Sequence, residues 1–213
     1  MLVLAFDTAT PAVTVALHDG SSVLASSTVV DAMRHAELLA PGIARVLTEA
    51  GADRRDLTEI AVGVGPGPFT GLRVGLATAR AMGYVLGIPV HGVCTLDVLA
   101  AAAQVESGPF VVATDARRKE VYWARYTDRH TRIDGPKVAK PAALATSEPV
   151  VGQGARLYPD AFPNAASPEL PSAADLARLV ATRAVPLLEP VPLYLRRPDA
   201  AQPGPPKSVL STR

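Results

Sequence analysis

The most suggestive stretch of the sequence for chemistry is a loop of glycines and prolines that precedes a small-residue helix. Residues 63–75 read Gly-Val-Gly-Pro-Gly-Pro-Phe-Thr-Gly-Leu-Arg-Val-Gly and follow an apolar run. Glycines let the backbone approach other groups closely, and a strand, a stiff turn and a helix N-terminus together can cradle an anion. The lysine of the phosphate-loop pattern is missing, and the glycine spacing differs from the dinucleotide fingerprint. Two interpretations therefore stay open, a phosphate-facing loop and a structural tight turn.

An aspartate and a threonine, Asp7 and Thr8, follow the first apolar run of the chain. Beside a phosphate, the aspartate would orient a metal-bound water and the threonine hydroxyl would donate to a phosphate oxygen. In a structural turn, both side chains instead bond to nearby backbone groups. Because neither a lysine nor a second acidic motif accompanies the glycines, we favour the turn. The candidates for facing a nucleotide or phosphate are Asp7, Thr8, Gly65 and Gly67.

Metal and nucleophile chemistry find little support in the sequence. No two of the four histidines are four residues apart, the spacing that places two imidazoles on one helical face to hold a metal. The single cysteine, Cys94, excludes a disulfide framework and is interpreted as a small buried apolar residue. No G-x-S-x-G element is present. We assign no catalytic residue and no metal ligand.

Composition limits the partners of the chain. The 213 residues carry a formal net charge of +1, so no long-range field recruits nucleic acid or a membrane. The start lacks a signal peptide and the apolar runs are of strand length, so we expect a cytoplasmic protein without membrane contact. Residues 115–140 are a local exception, with eight Lys/Arg, four Asp/Glu and the aromatics Tyr122, Trp123 and Tyr126. That pattern indicates either an RNA contact or a strand with one solvated face.

Periodicity predicts an α/β chain in two parts. Three strands open the first part, followed by a helix capped by Asp31, a strand, the glycine-rich helix, a strand and a helix. The predicted bounds are 3–6, 12–17, 23–30, 32–50, 59–64, 70–86, 90–93 and 96–105. A second strand series enters at Phe110, and 14 of the 20 prolines follow Asp134, which favours loops and edge strands there. Ser172 is expected to cap a helix over 173–184. The predicted domains are 1–106 and 107–197, with a disordered tail over 198–213.

The helix after the loop carries small residues at a spacing of four, which places them along one face. Glycine costs about 1 kcal/mol relative to alanine inside a helix, so a close contact must compensate. That contact could be the chain's own sheet or a partner subunit, and we expect Leu72, Leu76 and Val85 to take the internal face. The stripe comprises Gly71, Gly75, Ala79 and Gly83.

Five segments resemble the TsaB (YeaZ) family in order and spacing, and together they cover nearly the whole chain. They are Leu4-Ala-Phe-Asp-Thr-Ala-Thr, His35-Ala-Glu-Leu-Leu-Ala-Pro, the loop at 62–75, Asp115-Ala-Arg-Arg-Lys-Glu-Val-Tyr and Tyr194-Leu-Arg. The resemblance implies the actin/hexokinase/Hsp70-like ATPase fold. It implies a role in making threonylcarbamoyladenosine, the modified base beside the anticodon of tRNAs that read codons starting with A.

The resemblance also implies the partners. Family members are described as non-catalytic partners of TsaD, which carries the metal and transfers the threonylcarbamoyl group. A small ATPase, TsaE, joins them, so the complex uses ATP, meets tRNA as a whole and leaves this chain without a cofactor. Where TsaD has a His-x-x-x-His pair, this chain has Thr95 and Leu99. The family pairs subunits through its first two helices, here His35, Leu38 and Leu39 with the glycine stripe, and a homodimer is expected when TsaD is absent.

A different class of function stays open beside this one. An independent ATPase or a glycoprotease-like enzyme of the same fold would be the main alternative. An ATPase would need a second glycine-rich phosphate loop, for which 150–154 is the only candidate.

Overall fold

The computed structural model describes residues 1–196, and the first of its two sheets is built from the opening half of the chain. Its five strands run in the order β3-β2-β1-β4-β5, with β1–β2–β3 antiparallel and β4 and β5 parallel to β1. The predicted strand meander is therefore confirmed. The strand bounds are β1 Val3–Asp7, β2 Ala12–His18, β3 Val23–Val30, β4 Glu59–Gly63 and β5 Val90–Val93.

The second sheet repeats the first in a smaller form. Its order, β8-β7-β6-β9-β10, gives the same succession of third, second, first, fourth and fifth strand. The two related sheets confirm the predicted actin/hexokinase/Hsp70-like fold class. The domain bounds 1–106 and 107–197 stay a prediction, and the tail predicted over 198–213 lies outside the described residues. The strands are β6 Phe110–Asp115, β7 Val121–Tyr126, β8 Arg132–Ala139, β9 Val150–Val151 and β10 Ala165–Ala166.

Five α-helices connect and cover the strands of the described part. Their bounds are α1 His35–Glu49, α2 Phe69–Leu86, α3 Thr95–Ala101, α4 Gln153–Leu157 and α5 Ala173–Thr182. The Ser172 cap is confirmed, because its hydroxyl accepts from the Ala174 N–H at 3.2 Å.

The predicted Asp31 cap of α1 is wrong. The Asp31 carboxylate accepts from the N–H groups of Met33 and Arg34, in a turn that ends before the helix begins at His35. The helix therefore starts later than predicted and still contains Pro41.

The first sheet lies between two helical layers, which explains why β1 and β2 are buried along their full length. Leu4 and Phe6 face the core that α1 and α2 cover, and Val3 and Ala5 face the core that α5 covers. Each large apolar side chain that is buried on either face stabilises the fold by roughly 1.5–3 kcal/mol. The chain thus returns to its first sheet through α5 after completing the second sheet. The end of β1 is therefore packed on both faces.

Candidate functional site

Asp7 ends β1 inside the protein, with none of its surface exposed. Its Oδ1 accepts from the Ala9 N–H at 2.7 Å, and its Oδ2 accepts from the Thr95 hydroxyl at 2.7 Å. Gly63 lies so close that a Cβ there would overlap the carboxyl group. Burial raises the pKa of Asp7 above its ordinary value of 3.8, against the lowering effect of these hydrogen bonds. Both carboxylate oxygens are therefore bonded within the chain.

The Thr95 hydroxyl joins three elements around Asp7. It donates to Asp7 and accepts from the Gly65 N–H at 3.2 Å, while the Thr95 N–H donates to the Gly65 carbonyl at 2.8 Å. Thr95 opens α3, Asp7 ends β1, and Gly65 belongs to the glycine–proline loop. Thr95 and Leu99, the two positions compared with the metal-binding pair, are both fully buried. The hydrogen bond from Thr95 to Asp7 could not be predicted from the sequence, because 88 residues separate the two positions.

The Thr8 hydroxyl is hydrogen-bonded to α2. Its hydroxyl donates to the Gly71 carbonyl at 2.7 Å and accepts from the Gly75 N–H at 3.1 Å. In a regular α-helix, the carbonyl of Gly71 and the N–H of Gly75 are partners. Thr8 is 2% exposed and anchors the β1 end to the helix. It also lines a smaller cavity of about 210 Å³ that shares Pro68, Phe69 and Arg117 with the cleft cavity.

Of the two candidate glycines, Gly65 is buried and Gly67 is partly exposed. Gly65 is buried with φ +91°, a left-handed conformation that favours glycine. A Cβ on Gly67 would overlap the Ala9 carbonyl, so this position needs glycine for close packing. Of the four phosphate-facing candidates, only Gly67 lines the large cleft cavity. The second candidate loop is also packed tightly, because Gly152 and Gly154 lie against the backbone of Ala113.

The cleft between the two halves holds a cavity of about 390 Å³. Phe69 and Tyr194 stack on one wall with ring centroids 5.0 Å apart, and the Arg73 guanidinium lies 3.5 Å from the Phe69 centroid. On the opposite wall, Arg196 donates to the Ala116 carbonyl at 2.7 Å and pairs with Glu120. The Arg196 and Tyr194 contacts therefore fix the end of the described chain across the cleft.

The glycine stripe of α2 faces the chain's own sheet. A Cβ on Gly75 would meet the Thr8 hydroxyl, and one on Gly83 would overlap Val90. Gly71 and Ala79 are buried too, as are His35 and Leu39 of α1. The proposed partner contact through these positions is therefore corrected to internal packing, and of the predicted set only Leu38 is partly exposed. The residues concerned are His35, Leu39, Gly71, Gly75, Ala79 and Gly83.

The exposed face of α2 lies on the opposite side from the stripe. Tyr84 is 90% exposed and Val85 is 79% exposed, with the exposed Ala77 and Ala81 beside them. The prediction that Val85 takes the internal face was wrong. Large apolar residues at these positions, off the small-residue row, were the sequence signal that could have identified this face.

The basic and aromatic segment divides between the two faces of the second sheet. Tyr126 is 1% exposed and donates to Asp97 at 2.7 Å, and Tyr122 is also buried. Trp123 is only partly buried, on the opposite face of β7. Within residues 1–196, no cluster of three His, Cys, Asp or Glu side chains is placed to hold a metal. Over the same range, no helix is both long and apolar enough to cross a membrane.

Comparison with known proteins gives one consistent group. A family model described as TsaD, tRNA N6-adenosine threonylcarbamoyltransferase, matches residues 24–200. An uncharacterized protein of Mycobacterium tuberculosis is 47% identical over 204 residues, 93% of each chain. The tRNA threonylcarbamoyladenosine biosynthesis protein TsaB of Escherichia coli is 38% identical over 59% of this chain and 55% of its own length. The structure of YeaZ from Pseudomonas aeruginosa aligns with a TM-score of 0.76 at 29% identity, covering 91% of this chain and 99% of that one.

Proposed function

The chain belongs to the TsaB (YeaZ) family, and from this membership we propose that it acts in the synthesis of threonylcarbamoyladenosine on tRNA. Its part there is that of a non-catalytic subunit that supports a TsaD-like transferase. The tRNAs concerned are those that read codons starting with A.

One observation carries the non-catalytic role. The groups that would meet phosphate or a metal in an ATPase of this fold are bonded inside the chain. Both oxygens of the Asp7 carboxylate have donors, and the Thr8 hydroxyl bridges Gly71 and Gly75. Binding a phosphate there would require these buried hydrogen bonds to break, each at a net cost of about 0.5–1.5 kcal/mol. The hydrogen bonds of Asp7 and Thr8 therefore support a structural role for this site and not a catalytic one.

The partner face that we propose is the outer side of α2 together with the partly exposed Leu38 of α1. Exposed side chains as large as Tyr84 and Val85 lie on it, next to the small exposed Ala77 and Ala81. Small residues let another helix approach closely, and a tyrosine beside them offers the large contact area that is frequent at binding hot spots. The TsaD-like subunit would occupy this face, and a second copy of this chain would occupy it when that subunit is absent.

The remaining parts of the proposal follow from the family. A TsaE-like ATPase joins the pair in the cytoplasm, ATP is consumed by the complex, and tRNA is bound by the assembly. This chain itself holds no cofactor.

Pull-down with the TsaD-like subunit of the same organism tests the proposed face. We expect Val85→Asp to weaken binding at least tenfold, because a charge would be desolvated in the contact. The matched control is Leu157→Asp, which places the same charge at a 46% exposed leucine on α4. If Val85→Asp binds the TsaD-like subunit as well as Leu157→Asp does, the proposed face is refuted. If the wild type does not bind the TsaD-like subunit, the proposed partnership is refuted.

A further inference from the structure

The second sheet leaves part of its outer face uncovered, beside the hairpin of β7 and β8. Helix α4 packs on this face near β6, where Val111, Ala113 and Phe162 form a buried cluster. Farther out on β7, Trp123 is only partly buried and Arg125 is exposed. A cavity of about 280 Å³ lies between these strands and the segment 143–148.

Both apolar and polar groups line the cavity. They include Leu144 and Trp123 together with Arg125, Glu148 and Thr146. The Arg125 Nε donates to Glu148 at 3.0 Å, so a guanidinium and a carboxylate stand side by side. The Thr146 oxygen accepts from the Glu148 N–H at 3.1 Å, which leaves its hydroxyl hydrogen for another acceptor.

The ring of Trp123 is the feature that points to a ligand. It is partly exposed and lines the cavity, while its indole nitrogen is inaccessible to solvent and has no hydrogen-bond partner among residues 1–196. The ammonium of Lys137, which is paired with Asp134, lies 5.7 Å from the centroid of the same ring. Aromatic surface and a nearby cation thus meet at one place.

We propose that this cavity, the Trp123 pocket, takes an unstacked base of single-stranded RNA. A nucleobase is flat, fits the volume, can stack on the exposed part of the Trp123 ring, and carries donors for the Glu148 carboxylate. The exposed cations Arg129, Lys137 and Lys140 belong to the hairpin and the segment that leaves it, where they would meet the phosphates on either side. RNA binding at the Trp123 pocket does not depend on the proposed subunit role.

The chain provides its own probe for the test, because Trp123 is its only tryptophan. We expect intrinsic fluorescence to change saturably when the full chain is titrated with a single-stranded RNA oligonucleotide at low salt. Anisotropy of a labelled oligonucleotide then compares variants. Trp123→Ala is expected to weaken binding about tenfold or more. Trp123→Phe, which keeps a smaller aromatic ring for stacking, is expected to bind more tightly than Trp123→Ala.

Charge variants separate the pocket from general attraction. Lys137→Gln should weaken binding. It should also reduce the magnitude of the slope of log affinity against log salt concentration by about 0.7. The control Arg178→Gln removes one exposed charge on α5 and should change the affinity little, since α5 packs on the first sheet.

Four results would overturn the proposal. They are no fluorescence change with RNA, equal affinity of Trp123→Ala and wild type, equal affinity for duplex and single-stranded RNA, and occupation of the pocket by a peptide of a partner. Because the test uses the chain alone, its failure is distinct from a failure to support TsaD.

Discussion

The role of Thr8 gives the sharpest test of the site. Replacing Thr8 with valine keeps the shape of a buried side chain but removes the hydroxyl that bridges the Gly71 carbonyl and the Gly75 N–H. Two hydrogen bonds at about 0.5–1.5 kcal/mol each predict a loss of about 1–3 kcal/mol in the free energy of unfolding. The lower end applies if the two helix groups pair with each other once the hydroxyl is gone.

Urea denaturation followed by circular dichroism measures this loss. The matched variant Thr8→Ser keeps the hydroxyl and removes one methyl group, so it should cost about 1 kcal/mol or less. If Thr8→Val is as stable as the wild type, the hydroxyl does not anchor α2. If ATP also stabilises the wild type and not Thr8→Val, the hydroxyl faces a phosphate and the structural reading is refuted.

Three further predictions concern the surrounding packing. Burial raises the pKa of Asp7, so the folded state favours its protonated form. The stability of the wild type relative to Asp7→Asn should therefore be greatest in acid and decline as the pH rises above the ordinary aspartate pKa of 3.8, and a reversed trend in urea titrations would contradict this. Ala79→Leu should lower the free energy of unfolding by about 1–3 kcal/mol, because Ala79 is fully buried, whereas Ala81→Leu should leave it unchanged; equal denaturation midpoints would count against the internal stripe. Tyr126→Phe removes a donor to the buried Asp97 and should cost about 1.5–3 kcal/mol by the same assay, and a cost near zero would disprove that contact.

Local sequence patterns predicted the elements well, because strand alternation and helix periodicity depend on neighbouring residues. The three opening strands and the glycine-rich helix are within a residue or two of their predicted bounds. The start of α1 was placed too early, since the bonds that Asp31 makes in a turn resemble a cap in sequence alone.

Contacts between distant residues could not be predicted in this way. The bond from Thr95 to Asp7 joins α3 to β1, and the return of α5 to the first sheet joins the two ends of the described chain. The orientation of α2 was also open, because its small-residue row suits an internal and an external contact equally. Val85 was assigned to the wrong side for that reason, although its exposure now marks the face that we propose for the partner.

The central claim is that this chain supports the modification of tRNA without a reacting centre of its own. Reconstitution with the TsaD-like and TsaE-like subunits of the same organism tests it, with threonylcarbamoyladenosine in the tRNA measured by mass spectrometry. We predict that product forms only when the chain is present, that Asp7→Asn supports it as well as the wild type, and that Val85→Asp does not. Product formed without the chain, or lost with a stably folded Asp7→Asn variant, would contradict the account.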